Sequence, residues 1–215
     1  MKKLDEIALN IELVLISIIE GVALISLAES AEPILHSADW LLYLPFIIAG
    51  LLILLVFWSQ AILHAVSFIR WPLRMEHMLL YFVAAFLQVI AYSNMTDLAG
   101  WFFWWSIFSV LAIVIYFVDL KIIRDTKEAS ASHHKAFMHE VEKRHVFELK
   151  YLVPIALLYN LVGLALAVYV PAVEESRTLY ATLGIVQALV SFGALYDCIR
   201  NFKERGRMIP TLFSE

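Results

Sequence analysis

The chain has 215 residues, of which 62% are hydrophobic, with a mean hydropathy of +0.79 and a formal net charge of −4. A water-soluble domain of that composition would expose more apolar surface than soluble proteins tolerate, so lipid is the expected solvent for most side chains. The acidic balance excludes a nucleic-acid footprint, and the single cysteine, Cys198, excludes an internal disulfide and a multi-cysteine metal site.

A run of about 20 apolar residues crosses a hydrocarbon core of ~30 Å, and six such runs follow one another. The first, Ala8 to Ala28, is preceded by Lys2 and Lys3. It carries Glu12 and Glu20 and leads into Glu29-Ser-Ala-Glu-Pro33, so it lacks the clean apolar centre of a cleaved signal and is read as a span. The second, Leu41 to Phe68, is long enough to tilt or to project beyond the bilayer. The third, Met78 to Tyr92, is short, and the fourth runs from Trp101 to Leu120. After a charged segment from Lys121 to Lys150, the fifth covers Leu149 to Val170 and the sixth Leu179 to Ile199. The expectation is an all-α polytopic membrane protein with six transmembrane helices, forming a single domain over residues 1–215.

Charge placement orients these spans. Lys2, Lys3, Arg70, Arg74, the seven basic residues between Lys121 and Lys150, and Arg200, Lys203, Arg205 and Arg207 all fall in alternate gaps. The intervening gaps hold Arg177 among Glu29, Glu32, Asp39, Asp97, Glu174 and Glu175. Because basic loops stay cytoplasmic during insertion, both termini are expected inside, in the inner (plasma) membrane. Trp40, Tyr43, Tyr92, Trp101, Trp104 and Trp105 gather at the opposite side, where the run Trp101 to Trp105 reads as an interfacial anchor.

The segment 121–150 reads as a cytoplasmic helical hairpin between spans four and five, with Phe137, Val141, Val146 and Phe147 forming a modest apolar stripe. Such a hairpin suits docking of a partner and is too small to fold as an enzyme. His133, His134, His139 and His145 lie within it, and Glu142 with His145 has the i, i+3 spacing of carboxylate metal sites in bundles. No second Glu-x-x-His stands in a span, so these histidines are expected to be solvated, with no metal and no cofactor. A Gly-x-Ser-x-Gly elbow and a Gly-x-x-x-x-Gly-Lys phosphate loop are both missing from the sequence, so it carries no catalytic signature.

Charged groups at membrane depth cost roughly 2.5 to 3.5 kcal/mol on insertion scales, so each needs a reason. Glu20, near the middle of span one beside Gly21, is the strongest candidate for a pathway or relay. Gln60, His64, Gln88, Asn160 and Gln187 are further buried polar candidates, suited to hydrogen bonding between helices. His64, His77, Asp119, Asp197 and Tyr196 crowd the inner ends of the spans, where side chains can snorkel to water.

Glu20-Gly21-Val22 in span one, with Phe57-Trp58, His64 and a basic turn closing span two, resembles the prokaryotic relatives of the lysosomal potassium channel. That family carries Arg and then Phe-Ser-Asp-Gly-Val in its first helix, and here the arginine, phenylalanine and serine are replaced. The resemblance implies a homo-oligomeric pore for a small cation, with Glu20 and Gly21 near the path and Ile25 and Leu27 at its apolar constriction. Two other functions are open: an inner-leaflet enzyme acting on a lipid or quinone through His64, His77, Asp119 and Asp197, and a scaffold or signalling subunit docking a partner through 121–150.

Overall fold

In a computed structural model of the chain, residues 2–68, 75–129, 132–170, 173 and 176–213 are described, and they are almost wholly helical. The elements are α1 (Lys2–Leu35), α2 (Trp40–Phe68), α3 (Met75–Ser93), α4 (Leu98–Ala129), α5 (Ser132–Phe147), a π-helical turn (Glu148–Leu152), α6 (Val153–Tyr169) and α7 (Arg177–Phe213). Among the described residues, six helices are long and apolar enough to cross a membrane: α1, α2, α3, α4, the continuous run from α5 through α6, and α7. Arg70, Arg74, Glu174 and Glu175, which contribute to the charge pattern, lie outside the described residues.

The helices form an incomplete ring. α2 packs on α7 and α1, α1 on α3, α3 on α4, and α4 on α6. α6 and α7, the two ends of the ring, are not a closely packed pair. They touch where the Tyr159 hydroxyl donates to the Leu183 carbonyl at 2.6 Å.

Aromatic side chains fill one half of the core. Phe46, Tyr92, Trp101, Phe102 and Trp105 are buried and meet one another edge to face at 5.6–6.5 Å between centroids. The interfacial anchor expected at Trp101–Trp105 is therefore corrected: at 3.6 residues per turn, positions 101, 102 and 105 share the inward face, and Phe103 is exposed. Gly163 and Gly184 let these rings approach the neighbouring helices, since a Cβ on either would lie 2.7 Å from Phe102 or Phe46.

A second core occupies the end of the bundle that carries the α4–α5 hairpin. Phe137, Met138 and Val141 of α5 pack with Ile122 and Ile123 of α4, while Glu142 bridges Arg124 at 2.9 Å and Lys127 at 2.8 Å. Half of the expected hairpin stripe is thus used internally, and Val146 and Phe147 remain exposed.

The π-helical turn has a local cause. Pro154 has no N–H to offer the carbonyl one turn earlier, and the helix widens there, with the Val153 N–H donating five residues back to Glu148 O. Glu148 is completely buried as a result of its place in this turn.

Candidate functional site

Asp119 is the centre of a buried polar network at the hairpin end. It lies on α4 with no exposed surface, and its two carboxylate oxygens serve different helices. Oδ2 meets His64 Nδ1 of α2 at 2.9 Å, and Oδ1 meets His77 Nε2 of α3 at 2.7 Å. His77 Nδ1 in turn contacts Glu12 Oε1 of α1 at 3.2 Å. A neutral imidazole carries one N–H, so His77 can donate to both acids only if the Glu12–His77–Asp119 set holds one additional proton.

The second half of the network comes from the π-helical turn and its surroundings. Tyr116, one turn before Asp119, donates its hydroxyl to Glu148 Oε2 at 3.2 Å. Its backbone carbonyl accepts from His145 Nε2 at 3.1 Å, and its ring stacks on that imidazole at 4.4 Å. Arg144 donates from Nε to Glu148 Oε1 at 2.8 Å and also pairs with Asp197 of α7. Imidazoles of His64 and His145 stand 5.1 Å apart, edge to face. Each hydrogen bond here fixes the rotamer of a group that would otherwise be costly at this depth.

A cleft leads to this network from the open side of the ring. It lies between α2, α4, α6 and α7, encloses about 200 Å³, and is walled mainly by apolar side chains such as Ile53, Phe57, Ala112, Ala156 and Val190. One buried water needs only ~10–15 Å³ on this measure, so the space suits a much larger occupant. His64, Tyr116, Asp197 and Cys198 mark its hairpin end. Among the described residues, Gln60 Oε1, Asn160 Oδ1 and Trp105 Nε1, all on cleft-lining residues, have no hydrogen-bond partner. Such atoms are costly when buried unless something in the cleft completes them.

The structure separates the residues singled out in span one. Glu20 turns inward (4% exposed) toward Gln88, and neither carboxylate oxygen has a hydrogen-bond partner among the described residues. Gly21 has open space beside it, Ile25 is exposed, and Leu27 is buried in the aromatic core. Glu20 and Leu27 therefore share the inward side of α1, and Ile25 looks outward.

The other polar candidates bridge helices. Asn160 Nδ2 reaches Ser109 Oγ at 3.2 Å, Gln187 Oε1 accepts from Trp101 Nε1 at 2.7 Å, and Gln60 Nε2 lies 3.1 Å from Cys198 Sγ. Gln88 Oε1 accepts from Tyr92 within α3 at 3.2 Å. His64, His77 and Asp119 are buried and do not snorkel to water, each imidazole being paired with an Asp119 oxygen instead.

His145 corrects another expectation, that of a solvated histidine. It is completely buried because α5 folds back on α4 and its ring lies on Tyr116. Its partner at i, i+3 is Glu148, not Glu142, whose carboxylate is taken by Arg124 and Lys127. Sequence reasoning missed Tyr116, Arg144 and Glu148 as site residues; for Glu148 there was one usable signal, since His145-Val-Phe-Glu148 directly precedes the span read from Leu149.

Comparison with known proteins places no relative beside this arrangement: no protein-family model, curated protein or solved structure matches the chain.

Proposed function

We propose that this protein is a multi-pass membrane enzyme that admits an amphiphile sideways from the bilayer and performs proton-transfer chemistry on its polar head. The observation that carries this reading is the cleft beside the loose α6–α7 seam, ending at His64. Along α2 its wall runs from Ile53 to His64, about 16 Å of helix at 1.5 Å per residue, which is room for an acyl or isoprenoid chain. Asp119 holds His64 through Nδ1, which sets Nε2 as the nitrogen that accepts or returns a proton. Glu12 and His77 stand behind Asp119 as the groups that orient it. The substrate class is a lipid or quinone-like molecule with a small head able to exchange a proton. The alternating basic gaps support a cytoplasmic side for the network in a plasma membrane, and a C-terminal fluorescent fusion that stayed dark would reverse that orientation.

Protein purified in mild detergent is expected to retain a bound amphiphile, detected by native mass spectrometry. Ala156→Trp or Ala194→Trp, which fill the cleft walls, should remove it. Val162→Trp, on the exposed side of α6, should not. Identical lipid content in all of these proteins would sink the proposal.

A second reading, a path for a small cation or proton through a homo-oligomer, is supported by Glu20, a buried carboxyl beside Gln88 with no counter-charge against it among the described residues. It would act from inside the bundle, two helical turns from Glu12 on the same face of α1. In proteoliposomes this reading expects ion movement that Glu20→Gln abolishes while amphiphile content stays unchanged. Equal flux with both proteins, or none with either, removes it.

A further inference from the structure

We infer that His64, His145 and Glu148 form a binding site for a divalent transition-metal ion, with Zn²⁺ the best-fitting chemistry. The three residues come from α2, α5 and the π-helical turn, all are buried, and each can bring one ligand atom to within 4.8 Å of the other two. Two imidazoles and a carboxylate are a donor set that borderline divalent ions take, leaving a coordination position for water or substrate.

The groups behind these ligands are arranged as a metal requires. His64 is held through Nδ1 by Asp119 at 2.9 Å, and His145 through Nε2 by the Tyr116 carbonyl at 3.1 Å. The ligating atoms are therefore His64 Nε2 and His145 Nδ1, with the opposite nitrogens held to fix the tautomer and raise ligand basicity. Glu148 is oriented by the Tyr116 hydroxyl and by Arg144. Side chains ordered to this degree hold a constellation ready for an ion rather than collapsing around it.

Charge gives an independent argument. Glu12, Asp119, Glu148 and Asp197 bring four carboxylates into the network, against the guanidinium of Arg144 and the one additional proton that His77 needs to serve both of its acids. Carboxylates therefore outnumber the cationic groups in the network, which favours a bound cation without fixing its charge. Arg200 approaches Asp197 at 3.8 Å, but from an exposed position where water screens it.

The inference deepens the proposed enzyme reading, rests on it for the role of the open position, and changes one part of it: with Nδ1 held by Asp119 and Nε2 on the ion, His64 is a ligand, and proton exchange passes to a water or substrate oxygen at the open position. Because His64 and Tyr116 line the cleft as well, an ion held here would sit at its closed end, where it could polarise an oxygen of the amphiphile's head or lower the pKa of a bound water.

The test uses the full chain carrying a streptavidin-binding rather than a polyhistidine tag, loaded with Zn²⁺, dialysed against metal-free buffer and assayed by elemental mass spectrometry. One ion per chain is expected. His145→Phe, which keeps a ring against Tyr116, and Glu148→Gln should each weaken binding by roughly tenfold or more. His139→Ala, an exposed histidine on the same helix, should retain it. Loading the unmodified chain with Co²⁺ should give the visible absorption of a site with nitrogen and oxygen ligands, a readout independent of how any variant folds. Substoichiometric Zn²⁺ in the unmodified chain, or full retention by the His145→Phe/Glu148→Gln double variant, overturns the site. Amphiphile content measured on the same samples separates the two ideas: metal with an empty cleft overturns only the enzyme reading, and a filled cleft without metal overturns only the ion.

Discussion

Asp119→Ala is expected to be among the most damaging single substitutions in the bundle, costing about 3–5 kcal/mol. The carboxylate has no exposed surface, and it is the common partner of His64 and His77. Its removal would strand two buried imidazoles on different helices and break the link from α4 to α2 and α3. It would also leave Glu12 facing an imidazole no longer anchored on its other side. Asp119→Asn should cost less, because one oxygen can still accept, but its NH₂ must face the other imidazole and reverse that tautomer. The measurement is the thermal midpoint in detergent by tryptophan fluorescence, with His77→Ala and the double variant completing a cycle. If the cycle is additive, the network is a set of independent contacts and this account of it fails.

The six membrane-length helices were readable because a crossing would take about 20 apolar residues, and the chain carries runs of that length almost everywhere. Span one was read to end at Ala28, but α1 continues through Pro33 to Leu35. Pro33 cannot donate to the Glu29 carbonyl four residues back, and the helix ends two residues later at Leu35.

What the sequence hid was orientation about each helix axis. In a soluble protein the polar side of a helix marks its outside, but lipid makes inner and outer faces alike apolar, and the cue is lost. Trp101 and Trp105 looked like membrane-surface anchors for that reason and turned out to be core. Glu20 and Ile25, five residues apart, fall about 140° apart around a helix, but only the fold shows that it is the Glu20 side that faces the bundle.

The candidate site was half legible. His64, His77, Asp119 and Asp197 could be grouped by depth alone, since charged groups are rare there and each position is known from its span. Asp197 nevertheless joins the others only through Arg144 and Glu148, rather than by direct contact with Asp119. His145 and Glu148 were invisible to that reasoning because they lie in a segment whose charge suggests water. Their burial depends on the return of α5 along α4, a long-range event that local pattern does not encode.

Arg144→Ala should open the hairpin end of the bundle, at about 2–3 kcal/mol, less than for a fully buried pair because the guanidinium is 20% exposed. This side chain joins Glu148 on the π-helical turn to Asp197 on α7. With it gone, Glu148 keeps the Tyr116 hydroxyl but loses its counter-charge, while Asp197 can turn toward Arg200 and water. The damage should therefore concentrate at the π-helical turn and the hairpin-end part of α7, seen as faster amide exchange around residues 144–152 and 194–201. Exchange around Trp101 and Trp105, in the other core, should change little. Arg144→Lys should restore only part of the protection, since an ammonium is a point charge and cannot fork between two carboxylates as a guanidinium does. Combining Arg144→Met with Glu148→Gln should recover more stability than Arg144→Met alone, because the uncompensated carboxylate is removed with its partner. Full recovery by lysine, or unchanged exchange in the alanine variant, would mean that α5 and α7 are held together by apolar packing and that the ion pairs are incidental to it.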